Sequence, residues 1–466
     1  MQNIVCLCRK SAKRRLMTRF VLLTAAAAAL LTFTFTPAGA QQMRSTRAYL
    51  AQPVPRAPKI LKSHIVIPSS NQLATQDVGK KMHTNYRLLV PDVEIPATSY
   101  PPYSGYLYET PESIACLYAT VTYLSGCNPN STVNVPTGGS QSIAIVDAFD
   151  NPTVAGDLAY FSDQMGIPFK TSQFHIVYAA GYQPSLDYSG GWELEAALDV
   201  EWAHAMAPSA NIYLVEAASN YDTDLFQAVQ VATNLVRCGL PTTCTGTPTG
   251  KGEVSMSWGG SESSGETAYD SYLSAANNVV YLAAAGDGPG VIYPSASPYV
   301  ISVGGTAISR SISTGSFYTE AIWQDTGGGP SAVEALPTYQ TGLGGTKRIT
   351  PDVAADADPA TGVWVYSSFP QDGYFAASSW WVVGGTSAST QIWAGILNAA
   401  STANGAFAAS TSAELTMLYA DMAGASYASD LKDIVTGSCG PYDAYFAATK
   451  YDKCTGVGVP HTYAGK

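Results

Sequence analysis

Val279-Val-Tyr-Leu-Ala-Ala-Ala-Gly-Asp287 runs apolar for seven residues and stops at a Gly-Asp pair. A strand wetted on one face alternates polar and apolar, whereas a continuous apolar run belongs to a strand covered on both faces, as in a parallel sheet. The same signature recurs in Ser142-Ile-Ala-Ile-Val-Asp147, Asn211-Ile-Tyr-Leu-Val-Glu216, Val254-Ser-Met-Ser-Trp-Gly259 and Val300-Ile-Ser-Val-Gly304. Helical patterns lie between and beyond them, at Thr153–Met165, Trp192–Ala207, Leu225–Val236, Glu266–Asn278 and Ala388–Thr402. This alternation predicts an α/β fold with a mostly parallel central sheet, helices on both faces, and a ligand cleft at the strands' carboxyl ends.

The 466 residues are 46% hydrophobic and 13% charged, which excludes a disordered or coiled-coil chain and allows a sizeable core. Charge is divided unevenly. Fourteen of the 24 Lys and Arg fall in the first 90 residues beside one acid, Asp77, and the remainder holds 10 bases against 34 acids. So acidic a body repels phosphate backbones, and no nucleic-acid partner is expected. With few bases it gains little positive self-repulsion when its carboxylates protonate, so it should tolerate acid.

Arg9, Lys10, Lys13, Arg14, Arg15 and Arg19 precede the apolar stretch Phe20–Leu31 and the small-residue site Ala38-Gly39-Ala40. That order reads as a secretory signal over 1–40, and its core falls short of the roughly 18 apolar residues a membrane span needs. A secreted chain, extracellular or periplasmic, with no membrane partner is expected. Residues 41–97, rich in Pro, Lys and Arg, read as a basic N-terminal extension with one β-like run, His64–Pro68. The globular domain spans 98–466, and a monomer is expected. Cys6 and Cys8 would leave with the signal. Cys116/Cys127, Cys238/Cys244 and Cys439/Cys454 lie close enough in sequence to pair locally in an oxidising compartment, and none has zinc-ligand spacing.

Three places carry chemistry. In Gly384-Gly-Thr-Ser-Ala-Ser389, a serine sits at a Gly-rich turn entering an apolar helix, whose first N–H groups point at whatever Ser387 attacks. The G-x-S-x-G elbow is incomplete, with Ser389 at its closing position, and a plain Ser N-cap is the alternative. In Trp192-Glu-Leu-Glu-Ala-Ala-Leu-Asp-Val-Glu201, Glu195 and Asp199 are four apart and share a helix face, while Glu193 and Glu201 point elsewhere. Such a pair can share a proton for general-base work; a solvated acidic face is the alternative. Asp287 ends its apolar strand at the cleft mouth, where a desolvated carboxyl keeps its proton and can donate to an oxyanion; an ordinary Asp-Gly turn is the alternative. Of five histidines, His204 is best placed, yet it lies five residues past Asp199 on another side of the helix. Ala144-Ile-Val-Asp147 has the strand-end Asp of a subtilisin without the histidine segment that should follow.

Taken together, these residues make the chain resemble the sedolisin, or serine-carboxyl peptidase, family from about Thr98 onward. The resemblance rests on ordered motifs that include Glu195-Ala-Ala-Leu-Asp199, Ser255-Met-Ser-Trp-Gly259, Ala283-Ala-Ala-Gly-Asp287, Ser302-Val-Gly-Gly-Thr306 and Gly384-Gly-Thr-Ser387. It implies a subtilisin-like fold with Ser387 as nucleophile, Glu195 as general base and acid, Asp199 orienting Glu195, and Asp287 at the oxyanion. The implied activity is endopeptidase hydrolysis of protein or peptide substrates in acid through an acyl-enzyme, with tripeptidyl-peptidase-type exopeptidase action as the alternative. A non-catalytic binding protein of the same fold and a His204-dependent esterase are the rival classes. The resemblance also implies one calcium ion on Asp433, Asp452 and the carbonyls of Ile434, Ala448 and Lys450. Here the family's G-x-G-x-D reads Ala448-Thr-Lys-Tyr-Asp452, and the lost glycines restrict the backbone. Residues 41–97 are too short for the family's large prodomain, and their positive charge against an acidic body suggests a tethered electrostatic lid.

Overall fold

The computed structural model describes residues 63–91, 106–240, 244, 247–274, 277–371 and 379–466. The signal expected over 1–40 and the first part of the basic extension lie outside these residues.

The central sheet holds β12 (Phe317–Ile322), β11 (Ile301–Arg310), β9 (Val279–Ala284), β7 (Gly252–Met256), β4 (Ser142–Ala148), β6 (Asn211–Ala217) and β5 (Phe174–Tyr178), in that order, with β13 (Val353–Asp356) also paired to β11. All its pairings are parallel except that of β12 with β11. Alternate residues feed two cores. Ile143, Ile145, Val280 and Leu282 face one side, under α2 (Gly191–Met206) and α5 (Thr386–Asn404). Ala144, Val146, Tyr281 and Ala283 face the other, under α3 (Asp222–Cys238). Both faces being covered, each strand is apolar throughout.

Helix α1 (Val154–Met165) packs outside α2, so α2 is enclosed on all sides and all 16 of its residues are buried. Gly395 of α5 allows the close approach to α2: a side chain there would collide with Ala203 and Met206. The pattern read over Glu266–Asn278 breaks into a 3-10 turn, Glu266–Ala268, and the short α4 (Asp270–Ser274); residues 275–276 lie outside the described set.

Composition places the start of the globular part near Thr98, but the structure builds residues 63–91 into it. A mixed-order antiparallel sheet runs β1 (Ser63–Val66), β3 (Arg87–Pro91), β15 (Trp380–Gly384) and β14 (Val363–Tyr366). A smaller one runs β10 (Ile292–Tyr293), β8 (Trp258–Ser261) and β2 (His83–Thr84). Charge dominates the composition of the segment and conceals its packing residues: Tyr86, Leu88, Leu89 and Met82 are all buried. The three local disulfides form as read: Cys116–Cys127, Cys238–Cys244 and Cys439–Cys454.

A buried ion pair ties β11 to the loop before β13. Arg348 donates to both oxygens of Asp352, at 2.8 and 2.5 Å, and Asp352 also accepts from the Ser302 N–H and the Tyr419 hydroxyl, each at 2.8 Å. Removing one partner strands the other's charge in a dry site. Arg348→Ala should therefore lower the free energy of unfolding in urea by about 3–5 kcal/mol; a loss below about 1 kcal/mol, the range of exposed pairs, would contradict the reading.

Candidate active site

The strand read as Val254–Gly259 is two strands, and the break between them makes the site. At Ser257 the backbone leaves the central sheet, and β8 goes on to pair with β10 and β2. The freed Ser257 carbonyl accepts from the Ser387 hydroxyl at 3.1 Å and from Asn85 Nδ2 at 3.2 Å. Its own hydroxyl donates to Asp199 Oδ1 at 2.9 Å.

Ser387 stands in the first turn of α5, where backbone N–H groups lack partners within the helix. The helix is capped by Gly385, not by a serine side chain, so the N-cap alternative for Ser387 does not apply. Gly385 has φ +118, and a side chain there would collide with the Asn85 carbonyl and with Asp287. The Ser387 N–H donates to that same Asn85 carbonyl at 3.0 Å. Ser389 does structural work instead of turning: its hydroxyl donates to the Gly304 carbonyl at 2.7 Å and accepts from the Ala355 N–H at 2.8 Å, fixing α5 to β11 and β13.

Helix α2 presents four carboxyls, each with its own surroundings. Glu193 accepts from the Asp187 N–H at 2.7 Å and Glu201 from the Tyr366 N–H at 2.9 Å, so both point away from Ser387, as their spacing implies. Glu195 accepts from the Asn85 N–H at 3.2 Å and lies beside the Ser387 hydroxyl. Asp199 is held by Ser257 and by Gln391 Nε2 at 2.7 Å. A solvated acidic face is thus excluded. A further carboxyl joins them: Asp147, at the end of β4, is fully buried, and neither of its oxygens has a hydrogen-bond partner among the described residues. Burial drives Glu195 and Asp199 well above the usual carboxylate range, with the neighbouring carboxyls adding to it, and pushes Asp147 up to about 8.

Asp287 follows β9. Its Oδ1 accepts from the Thr386 N–H at 2.8 Å and the Thr386 hydroxyl at 2.9 Å, and its Oδ2 from Asn71 Nδ2 at 3.2 Å. The Arg87 guanidinium donates to its backbone carbonyl. Burial outweighs these donors and lifts Asp287 to about 7. His204 is elsewhere: it packs edge-on against Phe169, 5.3 Å between rings, and burial lowers it to about 4. The structure thus brings Glu195, Asp199, Asp287 and Ser387 to one end of the sheet. Sequence reading missed Asn85, Ser257 and Gln391 and gave Asp147 no role. Gln391 alone carried a signal, one helical turn past Ser387.

The second predicted group lies in the C-terminal loops. Asp433 Oδ2 accepts from the Lys450 N–H at 2.7 Å, joining the two halves. Asp452 accepts from the N–H groups of Cys454 and Thr455, both at 2.8 Å, and from the Thr455 hydroxyl at 3.0 Å. Lys450 takes a left-handed φ of +74 where the family pattern has glycine, and its carbonyl accepts from the Tyr427 hydroxyl at 3.1 Å. That hydroxyl is pushed up by burial and then by Asp433 and Asp452, which places both carboxyls around it. Carboxylates and carbonyls, all oxygen donors, suit a hard divalent cation.

Fold and cleft together define a subtilisin-like α/β protein with a serine and several buried carboxyls at the sheet's carboxyl end. No family model matches the chain. Kumamolisin of Bacillus sp. (strain MN-32) is 34% identical over 295 residues, 56% of this chain and 48% of that protein. Sedolisin of Pseudomonas sp. (strain 101) is 25% identical over 291 residues, 56% and 47% of the two chains. Xanthomonalisin of Xanthomonas sp. (strain T-22) is 33% identical over 189 residues, 35% and 20%. The matches span about half the length of the first two relatives. In fold, the chain is similar to Pseudomonas sedolisin, a serine-carboxyl proteinase solved with two molecules of pseudo-iodotyrostatin. That likeness has a TM-score of 0.59 at 22% identity, over 76% of this chain and 95% of that one. In sequence and in fold the chain is similar to members of the sedolisin family.

The buried carboxyls set the sign of a stability measurement. Asp147 and Asp287 keep their protons to about 8 and about 7 in the folded chain, but release them near ~4 when unfolded. In between the folded state binds more protons, so stability is fullest below the unfolded value and is lost as pH rises through the folded one. Thermal unfolding followed from about pH 4 to about pH 8 should give a falling Tm across that span; a Tm that climbs toward neutrality would refute the assignment.

Proposed function

We propose that the chain is a secreted serine-type endopeptidase that hydrolyses peptide bonds of proteins or peptides in acid. The convergence of Ser387, Glu195, Asp199 and Asp287 carries this reading, and the similarity to kumamolisin supports it. Ser387 Oγ attacks the scissile carbonyl as its proton passes to Glu195, which Asp199 orients from its seat on Ser257 and Gln391. The oxyanion forms between the Ser387 N–H and the protonated Asp287. Collapse breaks the C–N bond, the leaving amine takes the proton from Glu195, and an ester remains on Ser387. Water, deprotonated by Glu195, then releases the acid and restores the hydroxyl.

The scheme needs Glu195 ionised and Asp287 protonated at once. Asp287 loses its proton as pH rises through about 7, so activity should fall over the same interval. Crowded buried carboxyls cannot all ionise, and Glu195, beside the Ser387 hydroxyl, is the one the scheme charges. Digestion of casein across pH should peak in acid and vanish with Ser387→Ala. Asp287→Asn, a donor that does not titrate, should extend activity toward neutral pH, and Asp287→Ala should cost about 10²–10³ in kcat. A wild-type optimum at or above about pH 7, where Asp287 is ionised, would overturn the proposal.

The three disulfides and the N-terminal sequence pattern support export to an oxidising compartment. We further propose that Asp433, Asp452 and the carbonyls of Ile434, Ala448 and Lys450 hold a calcium ion, which when bound stabilises these loops. Chelation should lower Tm and added calcium restore it, with Asp452→Ala insensitive to both; an unchanged Tm on chelation would remove the ion from the account.

A further inference from the structure

Asp147, Glu216 and Asp150 have no part in the chemistry above, yet they lead away from it in a file. In register, Asp147 of β4 lies beside Glu216 of β6, and Glu216 beside Tyr178 of β5, the last strand on that side of the sheet. Both acids share the side of Ile143, Ile145, Ile212 and Leu214, the side on which α2 carries Glu195 and Asp199. Asp150, two residues past β4, stands against Glu216 and the Tyr178 hydroxyl and accepts from Gln183 Nε2 at 2.9 Å. Gln183 is exposed. On α2, Glu193 lies near Asp150 and turns one oxygen to the Asp187 N–H. Exposure rises outward along the file: 0% at Glu195, Asp199 and Asp147, 1% at Glu216 and 4% at Asp150.

An acid kept for structure alone is tied down by donors, because an orphaned buried carboxyl is costly. Here Asp147 has no partner on either oxygen and Glu216 none on Oε2 among the described residues; Glu216 Oε1 accepts from the Asn151 N–H at 3.0 Å. A protonated carboxyl donates from one oxygen and accepts on the other, so neighbours of this kind can hand a proton along. Burial pushes Asp147 and Glu216 each up to about 8, and in acid the file is therefore loaded with protons.

The peptidase scheme needs Glu195 charged when Ser387 attacks, whereas burial favours its protonated form. That proton must leave a group with no exposed surface, and on the cleft side Asn85 covers it, donating its N–H at 3.2 Å. A bound substrate would shut the same side. We propose that Asp147, Glu216 and Asp150 form a relay that carries this proton along the sheet's carboxyl edge to water beside β5; the inference rests on the peptidase reading above. One proton passes from Glu195 to an oxygen of Asp147, and the one on the other oxygen of Asp147 moves to Glu216. Glu216 passes one to Asp150, and Asp150 hands one to water. Glu195 ends charged, the three acids of the relay end as they began, and one hydronium leaves. None of the three touches substrate; they act through Glu195.

Two experiments on the full chain decide it. Glu216→Gln, an amide of the same shape that cannot pass a proton on, is checked for folding by circular dichroism and assayed on casein in acid. Its kcat should fall about tenfold, less than the ~10²–10⁴ of a group acting in the transition state itself. Its KM should stay unchanged, and its solvent deuterium isotope effect on kcat should exceed that of the wild type. Glu216→Asp, which keeps the carboxyl, should recover part of the loss. A folded Glu216→Gln with full kcat, or with kcat lowered and the isotope effect unmoved, overturns the relay and leaves the peptidase reading standing. The second experiment needs no change at Glu216. In Ser387→Ala, the infrared band of protonated Glu195, identified by its loss in Glu195→Gln, should shift within the mixing time of a stopped-flow cell when D2O is added. A band that exchanges only as slowly as the core amide hydrogens overturns the relay even if Glu216→Gln does not fold. Casein left intact by the wild type defeats the peptidase reading instead, while the exchange rate still reports on the path.

Discussion

Carboxyl groups buried close together cannot all carry charge, and the cleft is organised around that limit. Asp147, Glu195 and Asp199 converge from β4 and α2, and Asp287 closes the set from the end of β9. Each sits where a parallel strand or a buried helix delivers it, at the carboxyl edge where such sheets place ligands. A histidine base would bring a cation into the same space when protonated. A carboxyl brings none, so burial keeps protons on the neighbouring carboxyls, at Asp287 even against the pull of the Arg87 guanidinium.

The hydrogen-bond pattern divides labour among chemically identical groups. Asp199 has Ser257 and Gln391 as donors, Asp287 has Thr386 and Asn71, and Asp147 has none among the described residues. Donors favour the charged form and dry apolar walls the neutral one. How firmly each carboxyl keeps its proton thus depends on burial set against donors supplied by other elements, chiefly the first turn of α5 and the break after β7, and at Asp287 burial outweighs the donors.

Much of this was legible in the sequence because the physics is local. Val279–Asp287 is apolar throughout since Val280 and Leu282 meet one core and Tyr281 and Ala283 the other. The i, i+4 spacing of Glu195 and Asp199 survives into the structure because α2 is regular, and Ser387, though buried, meets the carboxyls because Gly385 turns the chain. Ser257 was hidden: no glycine or proline marks the strand's departure from the sheet, which is imposed by pairing with β10 and β2. Residues 63–91 were misjudged in extent for a related reason. Their place is decided by cross-strand partners hundreds of residues away, Val382 and Val383 for Leu89 and Leu88, and composition carries no trace of such pairing.

Helix α2 has no side left for water. Its 16 residues are enclosed by sheet, by α1 and α5, and by β14, and Glu193 and Glu201 take backbone N–H partners from the loop at Asp187 and from the end of β14. Alone it would be a poor helix in need of a shell, and the shell has no interior without it. Wrapping and insertion must therefore coincide, and so must their reversal.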